Sequence, residues 1–340
     1  MDLFSASEVL VLMSESTLKH SLIWKRLFSG IELIAQEPPI PSTNRRLTDS
    51  FAALIQKQFK GSFSASKFQT YLDCPRKFYF NYVDKIFPSI TLNSDLDALA
   101  SGTISHRIIE VFYQSGRPLD ELNLITRQVM QKYILDHQLH LPPETSLRHE
   151  LVFNHRARNG VEFLQNLEAL LNKPIKWEME KPFALTGDYD LKGKIDCIGR
   201  MDKHLFLLDF KSTKFAASSN KEIEGLDSLQ LWTYVKAAAD SNPDFKDCHI
   251  TMGFVSLDNP SESNLLSSDT DLVDQIKASK LCRPQSFKVS FPELFTSAQN
   301  RMLDLVKTIN EDSTFPARPR KTDACKFCEL TKVCVKGELA

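Results

Sequence analysis

The segments Gly193-Lys194-Ile195-Asp196-Cys197-Ile198 and Leu205-Phe206-Leu207-Leu208-Asp209-Phe210-Lys211 set two carboxylates and a lysine among apolar, β-prone residues. The polar run from Arg200 to His204 between them supplies a turn, so the pattern predicts a hairpin. With the turn centred on Asp202 and Lys203, Asp196 lies directly across from Asp209, and the two Cβ atoms stand about 5 Å apart. Like charges at that separation destabilise the pair unless something positive sits between them, so this register asks for a divalent cation or a raised carboxylate pKa. Lys211 follows Asp209 by two and projects from the same face, within reach of a metal-activated water. Any one of these residues alone reads as a solvated strand end. Three charges converging on one face of an apolar hairpin point instead to a metal site.

Other polar residues recur at helical spacing on either side of the hairpin. Upstream, Ile104, Ile108, Val111 and Phe112 form an apolar stripe from Ser101 to Tyr113, with His106 and Glu110 four apart on one face. His106 is a candidate metal ligand or a group beside the reacting centre, with Glu110 as its support; the plainer alternative is a surface pair. Downstream, a helix is expected from Leu226 to Ala239, and Gln230 and Tyr234 share one of its faces. Trp177 to Phe183 is strand-like and carries Glu180, for which a structural role is expected.

The cysteines are a separate signal. Cys325, Cys328 and Cys334 lie close together in a basic, loop-rich tail, and three thiols leave a four-coordinate site one ligand short. Cys197, Cys248 and Cys282 have apolar or strand-like neighbours and are expected to be buried structural thiols. The odd total of seven cysteines argues against a complete disulfide framework.

The order G-x-x-D (Gly193 to Asp196) followed by D-F-K (Asp209 to Lys211) resembles the PD-(D/E)xK nuclease superfamily, and more narrowly the RecB-like nuclease domains of helicase-nuclease complexes, the AddB type in particular. Gly102-Thr103-Ile104-Ser105-His106 with Glu110 is similar to that family's upstream histidine motif, Gln230 and Tyr234 to its Q-x-x-x-Y motif, and Glu180 to its E-x-P-F strand. The resemblance runs from about Phe63 to the C-terminus. It implies a metal-dependent DNA nuclease, an exonuclease of repair and recombination working beside a helicase subunit on single-stranded ends. Mg²⁺ or Mn²⁺ would be held by His106, Asp196, Asp209 and the Phe210 carbonyl. Lys211 would orient water and stabilise the transition state, and Gln230 and Tyr234 would position the strand. It further implies that Cys74 joins Cys325, Cys328 and Cys334 around a [4Fe-4S] cluster, although spacing alone also allows zinc. The alternatives are a Cas4-like nuclease of CRISPR adaptation, a non-catalytic DNA-binding subunit of the same fold, and a zinc-stabilised interaction domain.

The chain has 340 residues, 42% hydrophobic and 25% charged, with a formal net charge of -1. That composition is globular, and it gives no global sign of a nucleic-acid binder, so a DNA groove must be a local basic patch. Arg76 with Lys77, the run from Arg148 to Arg158, and Arg318 to Lys321 are the candidates. No stretch is long and apolar enough to span a bilayer, and the N-terminus lacks a secretory leader pattern, so a cytoplasmic protein is expected. Two parts are expected: a helical segment over 1–60, with Pro38 to Ser42 as a linker and a helix from Asp49 to Gln58, and a nuclease domain over 61–340. Ser64 and Pro75 should each open a helix, with Cys74 between them. Helices are expected over 119–137, 147–172 and 291–309, and a strand over 249–256. The polar stretch from Ser256 to Asp271 reads as a surface loop. The fold class is α/β: a restriction-endonuclease-like core with a central mixed sheet flanked by helices, added N-terminal helices and a cluster-bearing C-terminal tail.

Overall fold

The computed structural model describes residues 59–86, 96–212, 218–321, 324–330 and 334. The expectations for 1–58, including the linker and the helix from Asp49, lie outside the described residues.

Ser64 caps α1 (Ala65–Asp73) by accepting the Lys67 amide at 3.3 Å. Pro75 opens α2 (Pro75–Phe78), so Cys74 sits extended at the junction, as expected, and a π-helical turn over Tyr79–Val83 follows. Asp97 caps α3 (Ala98–Ser115). Next come α4 (Leu122–Asp136), α5 (Pro143–Leu171), β1 (Lys176–Leu185), β2 (Leu191–Met201) and β3 (His204–Lys211). The remaining elements are α6 (Asn220–Glu224), α7 (Gln230–Ser241), β4 (His249–Ser256), β5 (Asn264–Ser267), α8 (Thr270–Ser279), β6 (Arg283–Ser286) and α9 (Phe291–Glu311).

The six strands lie in sequence order in one sheet, with β3/β4 and β5/β6 parallel and the other neighbours antiparallel. Period-two alternation along β3 sends Leu205 and Leu207 to one face and Phe206, Leu208 and Phe210 to the other. The first face packs on α1, α2, α7 and α9, through residues such as Phe68, Trp232 and Met302; the second packs on α3, α4, α5 and α8, through Ile108, Ile125, Phe163 and Ile276. This is the expected α/β class, a mixed sheet covered by helices on both sides.

The hairpin has the register that its polar turn predicts. Met201 pairs with His204, Ile198 with Leu207 and Cys197 with Leu208. Asp202, at φ 47°, takes the left-handed conformation that a tight two-residue turn requires. The pairing stops at Cys197 and Leu208, one residue short of Asp196 and Asp209, so β2 and β3 part there.

At the same level the β1/β2 hairpin turns over. In β2, Cys197 belongs to the second core, whereas Leu191 and Ile195, of the same parity, belong to the first; in β1, Trp177 and Met179 face the second core and Phe183 and Leu185 the first. The pairing numbers are unchanged across the switch, Met179 with Cys197 and Lys181 with Ile195. The change of face is therefore a local twist and not a slip of register. It is centred on Glu180, whose φ of 48° is unusual for a non-glycine residue in a strand.

One expectation fails. The stretch from Ser256 to Asp271 is not a surface loop, because it contains β5, with Leu265 and Leu266 fully buried. Its hydroxyls are satisfied inside the protein: Ser267 Oγ lies 2.8 Å from Thr251 Oγ1, Ser263 Oγ accepts the Ser256 amide, and Ser268 Oγ accepts the Ile250 amide. Serine here substitutes for ladder partners, which composition alone cannot distinguish from solvation.

The C-terminal tail is pinned to the start of the domain by an aromatic anchor. Phe315 is fully buried and stacks on Phe78 at 6.0 Å, while the Arg320 amide donates to the Asp73 carbonyl and the Arg76 side chain to the Phe315 carbonyl.

Gly253 in β4 stands where β4 pairs with Leu208 of β3, and a Cβ there would collide with the Asn264 carbonyl of β5. Backbone cannot yield as a side chain can, so Gly253→Ala is expected to destabilise the domain by about 1–3 kcal/mol, read as a lower urea midpoint at unchanged m-value.

Candidate active site

Where β2 leaves β3, three carboxylates stand in a row. Glu180 and Asp196 stand between the formed pairs Met179–Cys197 and Lys181–Ile195, and Asp196 and Asp209 are the residues next after the last β2/β3 pair, Cys197–Leu208. Asp196 Oδ2 accepts the Phe210 amide at 3.2 Å, so its side chain takes the place of a lost ladder bond. Asp209 is fully buried, and Lys211 Nζ lies 2.7 Å from its Oδ2.

The two helical layers contribute one side each. From α3, on the second core, His106 places Nε2 2.8 Å from the Phe210 carbonyl and Nδ1 3.4 Å from both Glu180 and Asp196. From α7, on the first core, the Tyr234 hydroxyl lies 3.1 Å from Asp196 Oδ1 and 3.0 Å from Asp209 Oδ1. Gln230 donates from Nε2 to Asp209 and accepts Lys211 at Oε1, 3.1 Å away. The i, i+4 spacing on α7 thus brings both of its polar residues onto the carboxylates.

Electrostatics follow from this crowding. Burial and the neighbouring charge of Asp209 push the Asp196 carboxyl well above the usual carboxylate range, against the pull of His106 and Lys211. Burial alone would lower the His106 pKa, but Asp196, Glu180 and Asp209 more than offset it and raise it to about 9. An imidazolium is consistent with the contacts, since both ring nitrogens face acceptors. Burial likewise opposes the charge on Lys211, and Asp209 and Asp196 raise its pKa nonetheless. Burial and the two aspartates hold the Tyr234 phenol far above its ordinary value, so it stays a proton donor.

The residues fit a hard cation. His106, Glu180 and Asp196 each offer a ligand atom within 4.8 Å of the others, and the buried Asp209 Oδ2 has no hydrogen-bond donor with good geometry. Carboxylate oxygens with one imidazole suit a divalent ion, and His106 fits a ligand role after losing its proton. All six residues expected at the reaction centre, His106, Asp196, Asp209, Lys211, Gln230 and Tyr234, are brought together with the Phe210 carbonyl.

Two sequence expectations change. Glu180, for which a structural role is expected, brings its carboxylate to His106 and Asp196; the signal for that placement is the position across from Asp196, legible only once β1 and β2 are paired. Glu110 does not support His106, because it pairs with Arg107 at 2.6 Å and accepts Gln114. Four residues along a helix share a face, yet the side chain took the nearer cation.

A family model described as the PD-(D/E)XK nuclease superfamily matches residues 62–335. The chain belongs to the PD-(D/E)XK nuclease superfamily. No curated protein matches the sequence. Solved structures similar to this superfamily member include a candidate exonuclease from Eubacterium rectale, 9% identical, covering 92% of this chain and 97% of its own, with a TM-score of 0.43. SSO0001 is 13% identical over 86% of this chain and 97% of its own, TM-score 0.29. VC1899 from Vibrio cholerae is 7% identical over 77% and 62%, TM-score 0.21. PD-(D/E)XK nucleases generally use divalent metals, and a His106, Glu180 and Asp196 triad with converging ligand atoms is present here. No described helix is long and apolar enough to cross a membrane.

The cysteines divide between the body of the domain and the tail. Cys197 and Cys282 are buried as expected; Cys248 is only half-buried, donating to the Asp244 carbonyl at the foot of β4. Cys74 meets the tail: burial raises the Cys334 pKa, Arg76 lowers it, and Cys74, Cys328 and Cys325 raise it further, so the four thiols share one neighbourhood. Among the described residues, no three cysteine sulfurs lie within 4.8 Å of one another.

A carboxylate whose folded pKa is raised loses stability as pH rises from its unfolded value through its folded one. The ionised Asp196 therefore costs stability at pH 8. Asp196→Asn is expected to raise the melting temperature in chelator at pH 8, by an amount on the order of 1 kcal/mol, and to abolish the stabilisation that Mg²⁺ gives the wild type. Thermal melts with and without Mg²⁺ check both effects.

Proposed function

We propose that this chain is a Mg²⁺-dependent deoxyribonuclease that hydrolyses phosphodiester bonds. The observation that carries the proposal is the convergence of Glu180, Asp196, Asp209, His106 and Lys211 at the fork where β2 leaves β3. When bound, the cation supplies a Lewis acid that neutralises charge on the phosphate oxygens and acidifies water. Glu180, Asp196, Asp209, the Phe210 carbonyl and neutral His106 would hold it.

The protein's own groups do the rest. Lys211, held protonated between Asp209 and Gln230, faces the charge that develops as the phosphorus becomes pentacovalent and orients the attacking water. Tyr234 keeps its proton and shares it between Asp196 Oδ1 and Asp209 Oδ1, which ties the two aspartates together. Gln230 sets the ammonium position through its amide oxygen and Asp209 through its amide nitrogen. Repulsion between the carboxylates is the driving force for cation uptake, and the imidazolium proton of His106 is what uptake must displace.

Action on single-stranded ends beside a helicase, in DNA repair, is the finer reading, and the AddB-like order of motifs supports it. Degradation of end-labelled linear and of circular DNA separates exonuclease from endonuclease action. Lys211→Ala is expected to reduce Mg²⁺-dependent cleavage by at least 100-fold while the variant stays folded at the assay temperature, with a lowered melting midpoint because Asp209 loses its buried partner. Retained cleavage would sink the mechanism.

A [4Fe-4S] cluster held by Cys74, Cys325, Cys328 and Cys334 belongs to the same proposal. Its support is the AddB-like order of the cysteines and the electrostatic contact of Cys334 with Cys74, Cys325 and Cys328; such a cluster would fasten the tail beside the Phe315 anchor and add to the stability of the domain. Cys328→Ser is therefore expected to lose visible absorption and iron together and to melt at lower temperature. Zinc instead of iron in freshly purified wild type would overturn the cluster.

A further inference from the structure

The basic residues that stand out in the sequence are mostly occupied inside the protein. Arg156 is committed to Asp258 and Ser101, Arg158 to Glu162, and the Arg76 guanidinium to the Phe315 carbonyl. Arg320 pairs with Glu222 and Asp227, and Lys321 with Glu222. These pairs neutralise the clusters that composition would assign to DNA.

A different set of lysines lies beside the fork: Lys194 pairs with Glu180 and Lys67 donates to the Ser62 carbonyl, but Lys67, Lys85 and Lys192 have no carboxylate partner among the described residues. Lys192 and Lys194 precede Asp196 by four and two residues on β2, so they alternate onto one side of the strand, spaced by about 6.6 Å. Both are exposed, and Lys194 Nζ lies 3.7 Å from Glu180, at the edge of the carboxylate row. The strand then delivers Lys192 to the start of α1, where the Lys192 amide donates to the Phe63 carbonyl. One turn into α1 stands Lys67, half-buried, its ammonium over the rings of Phe59 at 5.1 Å and Tyr82 at 5.6 Å. Beyond it lies Lys85, exposed at the end of the π-helical turn. Burial and then the charges of Lys192 and Lys85 hold Lys67 below the ordinary lysine range, so Lys67 feels both of the other lysines.

Like charges gathered without counterions are destabilising on their own and favourable once a polyanion neutralises them. We infer that Lys194, Lys192, Lys67 and Lys85 form a phosphate track that carries the DNA backbone from the surface beside α1 to the carboxylate fork. The inference rests on the nuclease reading of the site and adds the path of its substrate. The track binds the sugar-phosphate backbone, so it is indifferent to sequence. Lys67, fixed by two aromatic rings, is its rigid point, and Lys85 and Lys192 are flexible contacts on either side.

The experiment uses the full chain in chelator, so that binding is read without cleavage. Affinity for labelled single-stranded and duplex oligonucleotides is measured by anisotropy across a salt series. Each lysine that neutralises a phosphate contributes about 0.7 to the slope of log affinity against log salt for a single strand. Lys85→Ala with Lys192→Ala is therefore expected to lower that slope by about 1.4 and to weaken binding about tenfold or more at low salt, with an unchanged melting curve because both residues are exposed. Lys246→Ala with Lys280→Ala, on other surfaces, is expected to leave slope and affinity as they are. A wild-type slope in the track variant, an equal loss in the control variant, or no DNA binding by the wild type would each overturn the track. A wild type that binds through the track yet shows no Mg²⁺-dependent cleavage would overturn the nuclease reading and leave the track standing. The larger loss, on single strand or on duplex, identifies which form of the backbone the track holds.

Discussion

Three carboxylates side by side across three strands are the constraint on which this structure turns. Two unit charges 5 Å apart repel by about 3 kcal/mol at the effective dielectric of a protein site, and Asp196 carries such a neighbour on each side. Nothing in a β-ladder offsets that. The compensation comes from outside the sheet: His106 from one helical layer, Lys211 from the strand end, and Tyr234 and Gln230 from the other layer. The two cores are thereby joined at a polar point, and a side chain lost on either side leaves a buried carboxylate without its partner, a more costly state than never having buried it.

The backbone shares in this arrangement. A regular antiparallel ladder would send Glu180, Asp196 and Asp209 to one face, where only one helical layer could reach them. The left-handed residue at Glu180 and the exchange of faces along β1 and β2 instead place the row at the boundary between layers, open to α3 on one side and α7 on the other. Strain of this kind persists only where the surroundings over-determine it. Here they do, through the buried hairpin residues Ile195, Cys197 and Ile198 on either side of Asp196.

Much of this was legible in the sequence because it is local. The polar turn at Asp202 and Lys203 fixes the hairpin register, and register alone sets Asp196 across from Asp209. Helical spacing places Gln230 and Tyr234 together, and the Ser64 and Pro75 signals put Cys74 at a helix junction. The failures are non-local. Glu180 gains its role from a strand pairing, Glu110 loses its role to Arg107 one turn away, and β5 hides in a serine-rich segment whose hydroxyls bond to β4. Nor does charge along the sequence locate the basic surface. Arg156 and Arg320 are conspicuous in sequence but neutralised in space, whereas Lys67, Lys85 and Lys192 are scattered in sequence and adjacent in space.

A chain with 42 basic and 43 acidic side chains has no global field with which to gather a polyanion, so the distribution of charge must do it. At the fork itself the count is unfavourable. Three carboxyl groups are set against His106 and Lys211, so the fork holds no excess of cationic groups at the place where a phosphate must react. Lys194 lies against Glu180 at the rim of that region, and the other lysines continue from it away from the carboxylates. An approaching strand therefore meets the lysines before the carboxylates. Such an arrangement holds the flanking phosphates firmly and the central one weakly, so the backbone is retained by groups that take no part in the reaction. Only Lys194, at the rim, touches both the track and the row, so the Asp196 and Asp209 end of the row is neutralised by His106 and Lys211 and not by the lysines that attract the strand.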